Sequence, residues 1–453
     1  MLKKTIMSAC LTGVLLLTVM PARLHGQARV NLRGMDITIG NWWEDYDVNT
    51  WKPRSDYEER ELEHRKKIQQ DFGFKIRAKQ IASYEQISQR TAVSIMSGKP
   101  IADVIYLQPS MVMMLQNRKL LFPVSDNRLI DFTKSEPAVK GMLPVVWNQD
   151  TLKAFTFGGK AYAFSIGYGT SMHAQVVYFN KRLFREAGLD PNLPYDMQKN
   201  GTWTWAAFLD ICKKLTRDIN NDGIIDTYAM TADLSTEILD AIVSSNGANY
   251  IDRDASGKFV NATGRPEFIE ALQFAMRLRT EGIVMPRPEI SNWDWYQSQF
   301  TNGKVAMRIE PQYVAGQLAN MKDDWGMVLF PKGPKARDYT VYTDENVFII
   351  PSIYKRDQVE KILYAVQLWY TPLDDDWKSN LYHIYRDTRA VDETVARIRN
   401  PRNQMWKYHL FIPGLERGDI AWAIWWYEGE PAQLVESVSQ AWNALINDAN
   451  NIK

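Results

Sequence analysis

Residues 176–228 read VVYFNKRLFREAGLDPNLPYDMQKNGTWTWAAFLDICKKLTRDINNDGIIDTY, and the change of pattern along them decides the fold class. An apolar strand, Val176 to Phe179, runs into an amphipathic helix that shows Leu183, Phe184 and Ala187 on one face. Gly188 stands just past its end, where a left-handed residue is needed and glycine fills it cheaply. A turn-rich loop is expected through Pro191, Pro194 and Gly201. The next helix starts at the N-cap Thr204, and Trp205, Phe208, Leu209, Cys212 and Leu215 form its apolar stripe. It empties into an oxygen-rich loop from Asp218 to Asp226.

The order strand, YFNK, helix ending in AGL, T-W-x-x-F-L, K-K-L-T and D-x-N-x-D-G-x-x-D resembles the extracellular solute-binding proteins of ABC importers, carbohydrate type. The acidic pair common in that family after T-W is Ala206-Ala207 here, so the second half of a capping box is missing. The resemblance implies an α/β, type II periplasmic-binding-protein-like fold: two domains of open sheets joined by a hinge, with the ligand cleft between them. It further implies a carbohydrate ligand, ABC permease subunits as partners, a monomer, and no catalysis.

The start of the chain agrees. Lys3 and Lys4 precede an apolar run from Ile6 to Met20, and Gly26-Gln27-Ala28 offers a small-residue cleavage site, the layout of a secretory signal peptide. Residues 1–28 are expected to be removed, giving a periplasmic or extracellular product. Cys10 lies too early in the apolar run for a lipoprotein anchor. Cys212 is then the one remaining cysteine, and it sits on an apolar helix face. Removal takes away Lys3, Lys4 and Arg23 and no acid, which leaves a charge of about −2 and gives no electrostatic case for a nucleic acid partner.

From Asp36 the pattern alternates strand, helix, strand, helix, strand through Leu107, which predicts a parallel sheet with both faces covered. The first domain is expected over 36–172 plus about 343–375, the second over 176–340 plus about 380–453. Ligands of open α/β sheets lie beyond the carboxyl ends of strands, which places Trp42, Trp43, Glu44, Asp45, Gln108 and Ser110 on one rim. A flat indole matches the CH face of a sugar ring, and carboxylates accept its hydroxyls. Adjacent residues of an extended chain point oppositely, so both tryptophans cannot face one cleft from a strand. Tyr168 and His173 lie where the resemblance puts a domain crossing. F-T-N-G-K-V-A-M at 300–307 is close to a family element, and after it Glu310 and Tyr313 stand where the family offers ligand contacts, Tyr313 as the stacking ring. Trp422, Trp425 and Trp426 have helical spacing that argues first for packing, with Trp425 a further ligand candidate.

The loop Asp218, Asn220, Asp222, Gly223, Ile224 and Asp226 matches positions 1, 3, 5, 6, 7 and 9 of an EF-hand-like calcium loop, and a structural Ca²⁺ is expected there. Ala229 at position 12 cannot supply the bidentate carboxylate. The competing reading, a secreted glycoside hydrolase, would need Glu44 with Asp45 or Glu310 as its acid and base. Neighbours such as Glu44 and Asp45 cannot flank one bond from opposite faces, and a sensor or adhesin using the same closing fold stays open.

Overall fold

The computed structural model describes residues 30–167, 172–232, 235–289, 291–292, 294–318, 320–426 and 429–451. The expected signal peptide therefore lies outside the described residues. Strand β1 (Asp36–Asn41), helix α1 (Asp56–Phe72), β2 (Lys75–Gln80), α2 (Tyr84–Met96) and β3 (Val104–Leu107) alternate as their patterns predict, followed by α3 (Pro109–Asn117), α4 (Gln149–Ala154) and the ribbon β4 (Thr156–Phe157) and β5 (Lys160–Ala161). Helix α1 begins at Ser55, whose side chain accepts from the Glu58 N–H, and ends on Gly73 at φ 69°.

The chain then enters β6 (Gln175–Asn180), the fully buried centre of a second sheet. Asn180 caps α5 (Lys181–Glu186) by accepting from the N–H groups of Arg182 and Leu183. The loop expected through Pro194 is instead a helix, α6 (Leu193–Asn200), ended by Gly201 at φ 74°. Pro194 sits in its first turn, where the missing N–H costs nothing. The helix has a task that a loop could not perform. Tyr195 Oη and Gln198 Oε1 accept from the Met327 and Leu329 N–H groups at 3.0 and 2.7 Å, covering an otherwise open strand edge.

Beyond α7 (Trp205–Leu215) come α8 (Ser235–Ser245), the hairpin β7 (Ile251–Arg253) and β8 (Phe259–Asn261), α9 (Pro266–Thr280), α10 (Trp295–Thr301), β9 (Met307–Pro311) and β10 (Trp325–Leu329). Strands β10 and β9 flank β6, both antiparallel to it. Trp205 stacks on Phe274 at 4.3 Å and Cys212 is buried, so the stripe on α7 is core. The chain returns through β11 (Val341–Thr343) to β12 (Val347–Ile349), which completes the first sheet in the order β12-β3-β1-β2. That sheet is parallel except for β12.

Helix α11 (Arg356–Trp369) covers the first sheet, and the chain crosses once more. A π-helical turn at Ala390–Val395 leads into α12 (Ala396–Ile398), then β13 (Gln404–Trp406) pairs with β11, and α13 (Gly418–Trp426) and α14 (Pro431–Asn450) close the second domain. The buried apolar cluster of the second domain runs on into α2 and α3, so the domains meet over a shared interior. No helix among the described residues is long and apolar enough to cross a membrane.

A tight joint in the core is where Gly326 of β10 faces Phe179 of β6, since a Cβ there would overlap the buried ring. Gly326→Ala is expected to destabilise the protein by about 1–3 kcal/mol, the usual range for overpacking. Urea unfolding followed by tryptophan fluorescence reads this, and an unchanged midpoint would show that Phe179 can move aside.

Candidate functional site

Three stretches of chain join the domains, and the first two meet at a carboxylate. His173, just before β6, places Nδ1 3.2 Å from Oδ1 of Asp344, between β11 and β12. Lys407, the residue after β13, reaches the other oxygen of Asp344 at 3.2 Å and Asp240 of α8 at 3.4 Å. Arg417, the residue before α13, forms ion pairs with Asp240 at 3.1 Å and with Glu237 at 3.7 Å. Its Nη1 donates to His409 Nε2 at 3.0 Å, which requires a neutral imidazole acceptor. Burial pushes the His409 pKa well down, and Arg417 and Lys407 push it the same way. Burial alone would raise Asp344, but Lys407 and His173 override it and hold the carboxyl well below its ordinary range. Burial opposes charge on His173 too, and Asp344 again prevails, so its pKa is raised.

This network lines a cavity of about 510 Å³ at the domain boundary. From β9, Arg308 and Glu310 project to the same side, two residues apart, with both Nε and Nη2 on Glu310 Oε1 at 3.1 and 2.7 Å. Tyr313 stands half exposed over the cavity, its ring edge-on to His173 at 5.9 Å and its N–H bonded to the Met172 carbonyl. Tyr296 and Gln297 of α10 form another wall. The first domain contributes Tyr84 and Gln108, joined at 2.8 Å.

Of the expected residues, Gln108, His173, Glu310 and Tyr313 therefore share one cavity. Trp43 and Glu44 line a second one of about 270 Å³ at the carboxyl end of the first sheet. Asn41 places them: its side chain accepts from the Trp43 and Glu44 N–H groups and donates to the Glu44 carbonyl, which folds the chain back after β1. The chain bends after β1, so the two tryptophans touch edge-on at 4.9 Å, with Trp42 packed against the core and edge-on to Tyr84.

Like Trp42, three more of the expected residues line neither cavity. Asp45 accepts from the Gln80 N–H at 2.7 Å and closes the end of β2 instead of facing either cavity. Ser110, in the first turn of α3, lines neither. Trp425 is 3% exposed in the core, whereas Trp422 and Trp426 are 57% and 45% exposed. Tyr168 lies outside the described residues. Nothing local in the sequence marks Glu237, Lys407 or Arg417, which come from distant segments and meet only in the fold. Asp344 and Glu345 sit between two strands at a crossing, a position that could have singled them out.

In the acidic loop, Asp218 accepts from the Asp222 and Gly223 N–H groups at 3.2 and 2.8 Å, Asn220 and Asp222 accept from Asp222 and Ile224, and Asp226 accepts from Ile219. Gly223 has φ 87°. The side-chain oxygens thus close on the loop's own backbone. Among the described residues no three His, Cys, Asp or Glu side chains are grouped closely enough to hold a metal.

Residues 63–359 match the family model for bacterial extracellular solute-binding proteins. No curated protein gives a significant sequence match. Solved structures with the same fold include the cyclic α-maltosyl-1,6-maltose binding protein of Arthrobacter globiformis, with 14% identity, TM-score 0.63, and coverage of 91% of this chain and 99% of that one. An ABC substrate-binding protein of Listeria monocytogenes in complex with cycloalternan has 14% identity, TM-score 0.58 and the same coverage. The maltodextrin-binding MalE domain of Bdellovibrio bacteriovorus, bound to maltotriose, has 15% identity, TM-score 0.55, and coverage of 91% and 100%. At these identities the likeness establishes the fold.

The crossing pair makes stability depend on pH. A raised histidine pKa gives stabilisation that is complete below the unfolded value near 6.5 and is lost as pH rises through the folded value. The depressed Asp344 contributes stability that is complete above the unfolded carboxyl value near 4 and is lost as pH falls below it toward the folded value. The melting temperature is expected to fall as pH rises above about 6.5, and His173→Gln should flatten that part of the profile. An identical slope in the variant would assign it elsewhere.

Proposed function

We infer that this chain, which belongs to the bacterial extracellular solute-binding proteins, captures a carbohydrate by hinge closure and presents it to the permease of an ABC importer. Proteins of this family are transport components rather than enzymes. The observation that carries the reading is the cavity between the domains, where Tyr84 and Gln108 come from one domain and Tyr296, Arg308, Glu310 and Tyr313 from the other. Exposed phenol rings give stacking faces, and fixed charges give donors and acceptors for hydroxyls. A ligand touching both walls favours the closed arrangement over the open one, which is the shape a permease reads. Carbohydrates are also what the three structural neighbours are named with. Glu310, held by Arg308, serves here as a ligand acceptor.

Intrinsic tryptophan fluorescence and melting temperature, followed against neutral and acidic mono- and oligosaccharides, test this reading. A saturable response with the sugar recovered intact is the expected result, and no response to any glycan would overturn it. Tyr313→Ala should weaken the bound sugar about tenfold, the scale of one lost stacking face. An unchanged dissociation constant would remove the ring from the site.

The same reading gives the loop 218–226 a structural Ca²⁺. Asp218, Asn220, Asp222 and Asp226 with the Ile224 carbonyl supply hard oxygens, and Ca²⁺ would draw the carboxylates off the backbone N–H groups that now hold them. Calorimetric titration of chelator-treated protein should show Ca²⁺ heat below millimolar concentration, removed by Asp218→Ala. Absence of heat would leave the loop held by its own backbone bonds alone.

A further inference from the structure

The two cavities differ in charge. Arg308, Lys407 and Arg417 all line the larger one. The smaller one is walled by the rings of Trp43, Tyr46, Tyr106, Phe348 and Tyr370, and among the described residues its lining holds two carboxyl groups, Glu44 and Glu345, and no Lys, Arg or His. The rings form a continuous surface, with Trp43 5.4 Å from Tyr106, Tyr106 4.4 Å from Phe348 and Phe348 5.5 Å from Tyr370. Glu345 follows Asp344 directly, and the consecutive side chains point into different cavities. Asp344 has His173 and Lys407 as ion-pair partners at 3.2 Å, whereas Oε1 of Glu345 is buried with neither a hydrogen bond nor an ion-pair partner among the described residues.

A buried carboxyl oxygen without a partner, facing aromatic π-systems, is the environment that attracts an organic cation. We propose that the cavity of the first domain binds an ammonium group of the solute, with Trp43, Tyr106 and Phe348 as its aromatic walls and the Glu345 carboxylate as its counter-charge. The proposal deepens the solute-binding reading and rests on it. The class implied is an amine-bearing, polyhydroxylated solute, whose ammonium enters the aromatic lobe while its hydroxyls meet the charged lobe. Primary and quaternary ammonium groups share this chemistry.

Protonation gives a signature. Burial raises the Glu345 pKa to about 8, against the opposing effects of His173 and the Met172 N–H and with help from Asp344. Binding a permanent cation therefore expels a proton at neutral pH. Affinity should climb with pH, by at most about tenfold per unit below 8, and level off above it. The groups facing Glu345 are His173 and Asp344 at the crossings, Glu44 after β1, Tyr46, Tyr106 of β3, Tyr370 after α11, and Arg65 of α1 stacked behind Tyr46. The three phenols are all raised above their ordinary value and Arg65 stays charged, so neither contributes between pH 6 and 9. Any slope from His173 persists when Glu345 is replaced.

The experiment titrates the mature protein with choline chloride beside its uncharged counterpart 3,3-dimethyl-1-butanol at pH 6, 7, 8 and 9, and with D-glucosamine beside D-glucose at pH 6 and 7, where the amine is protonated. The expected result is a preference of about tenfold or more for at least one cation. That preference and its pH slope should be lost in the near-isosteric Glu345→Gln and reduced in the half-exposed Trp43→Ala, with melting temperatures confirming that both variants fold. Preference for glucosamine names a primary ammonium, and preference for choline a quaternary one. Equal binding of cation and counterpart, no binding of either cation, or Glu345→Gln binding as wild type would overturn the proposal. Neutral sugars bound without a cation preference would sink it alone and leave the carbohydrate reading standing. A cation bound with no response to any neutral glycan would sink the carbohydrate reading alone.

Discussion

Asp344 carries a full negative charge where little water remains, and the joint between the domains depends on how that charge is compensated. Taking a carboxylate out of water costs several kcal/mol, and the return comes only with good geometry and more than one partner. Here His173 approaches from the first crossing and Lys407 from the segment after β13, each at 3.2 Å. Lys407 is shared with Asp240, and Asp240 with Arg417, so the chain of alternating charge runs from the hinge to the floor of the cleft. Each carboxylate has two cationic partners, Asp344 in His173 and Lys407 and Asp240 in Lys407 and Arg417. The network therefore ties the conformation of the two crossings to the positions of Glu237 and Arg417, which line the cavity itself.

Much of this architecture is legible in the sequence wherever a local rule acts alone. The strand, cap and glycine stop around β6 and α5 follow from burial on every residue of the strand, the Asn180 side chain and the open φ of Gly188. Helix α7 is equally plain because its whole stripe is buried, Trp205 on Phe274 and Phe208 between Trp203 and Phe330. Reading fails where two rules compete. Pro191, Pro194 and Gly201 look like loop punctuation, yet a proline in a first turn and a glycine after a last turn also frame a helix, and the edge of β10 selects that outcome. The tryptophans of α13 fail for a related reason. Spacing of three and four residues puts Trp422, Trp425 and Trp426 near one another, but only the neighbouring helices determine which of them turns inward.

The cleft was legible only in part, since its members obey no common local signal. Tyr313 and Glu310 follow a recognisable strand, and Trp43 and Glu44 follow another. Glu237, Lys407 and Arg417 are single charged residues beside ordinary helices and strands, and the same residue types occur throughout the surface. What makes them different is that they converge on one cavity, and that convergence is a property of the assembled domains. Asp45 shows the converse. It stands beside Glu44 at a strand end, as a ligand residue should, but one backbone N–H, that of Gln80, is within reach and takes its carboxylate.

The division of charge between the lobes bears on how closure is driven. Asp344 and Glu345 are consecutive on an extended crossing, so the hinge itself is the partition between a cavity lined by three basic side chains and one lined by none among the described residues. Movement of that segment alters both walls at once. Contacts made in only one lobe leave the other indifferent to the hinge angle, whereas contacts made across the partition depend on it directly. Each factor of ten by which a solute binds the closed arrangement more tightly than the open one shifts the balance by about 1.4 kcal/mol. In the proposed reading, a solute that spans both lobes would gain this difference from two sets of contacts, one on each side of the crossing.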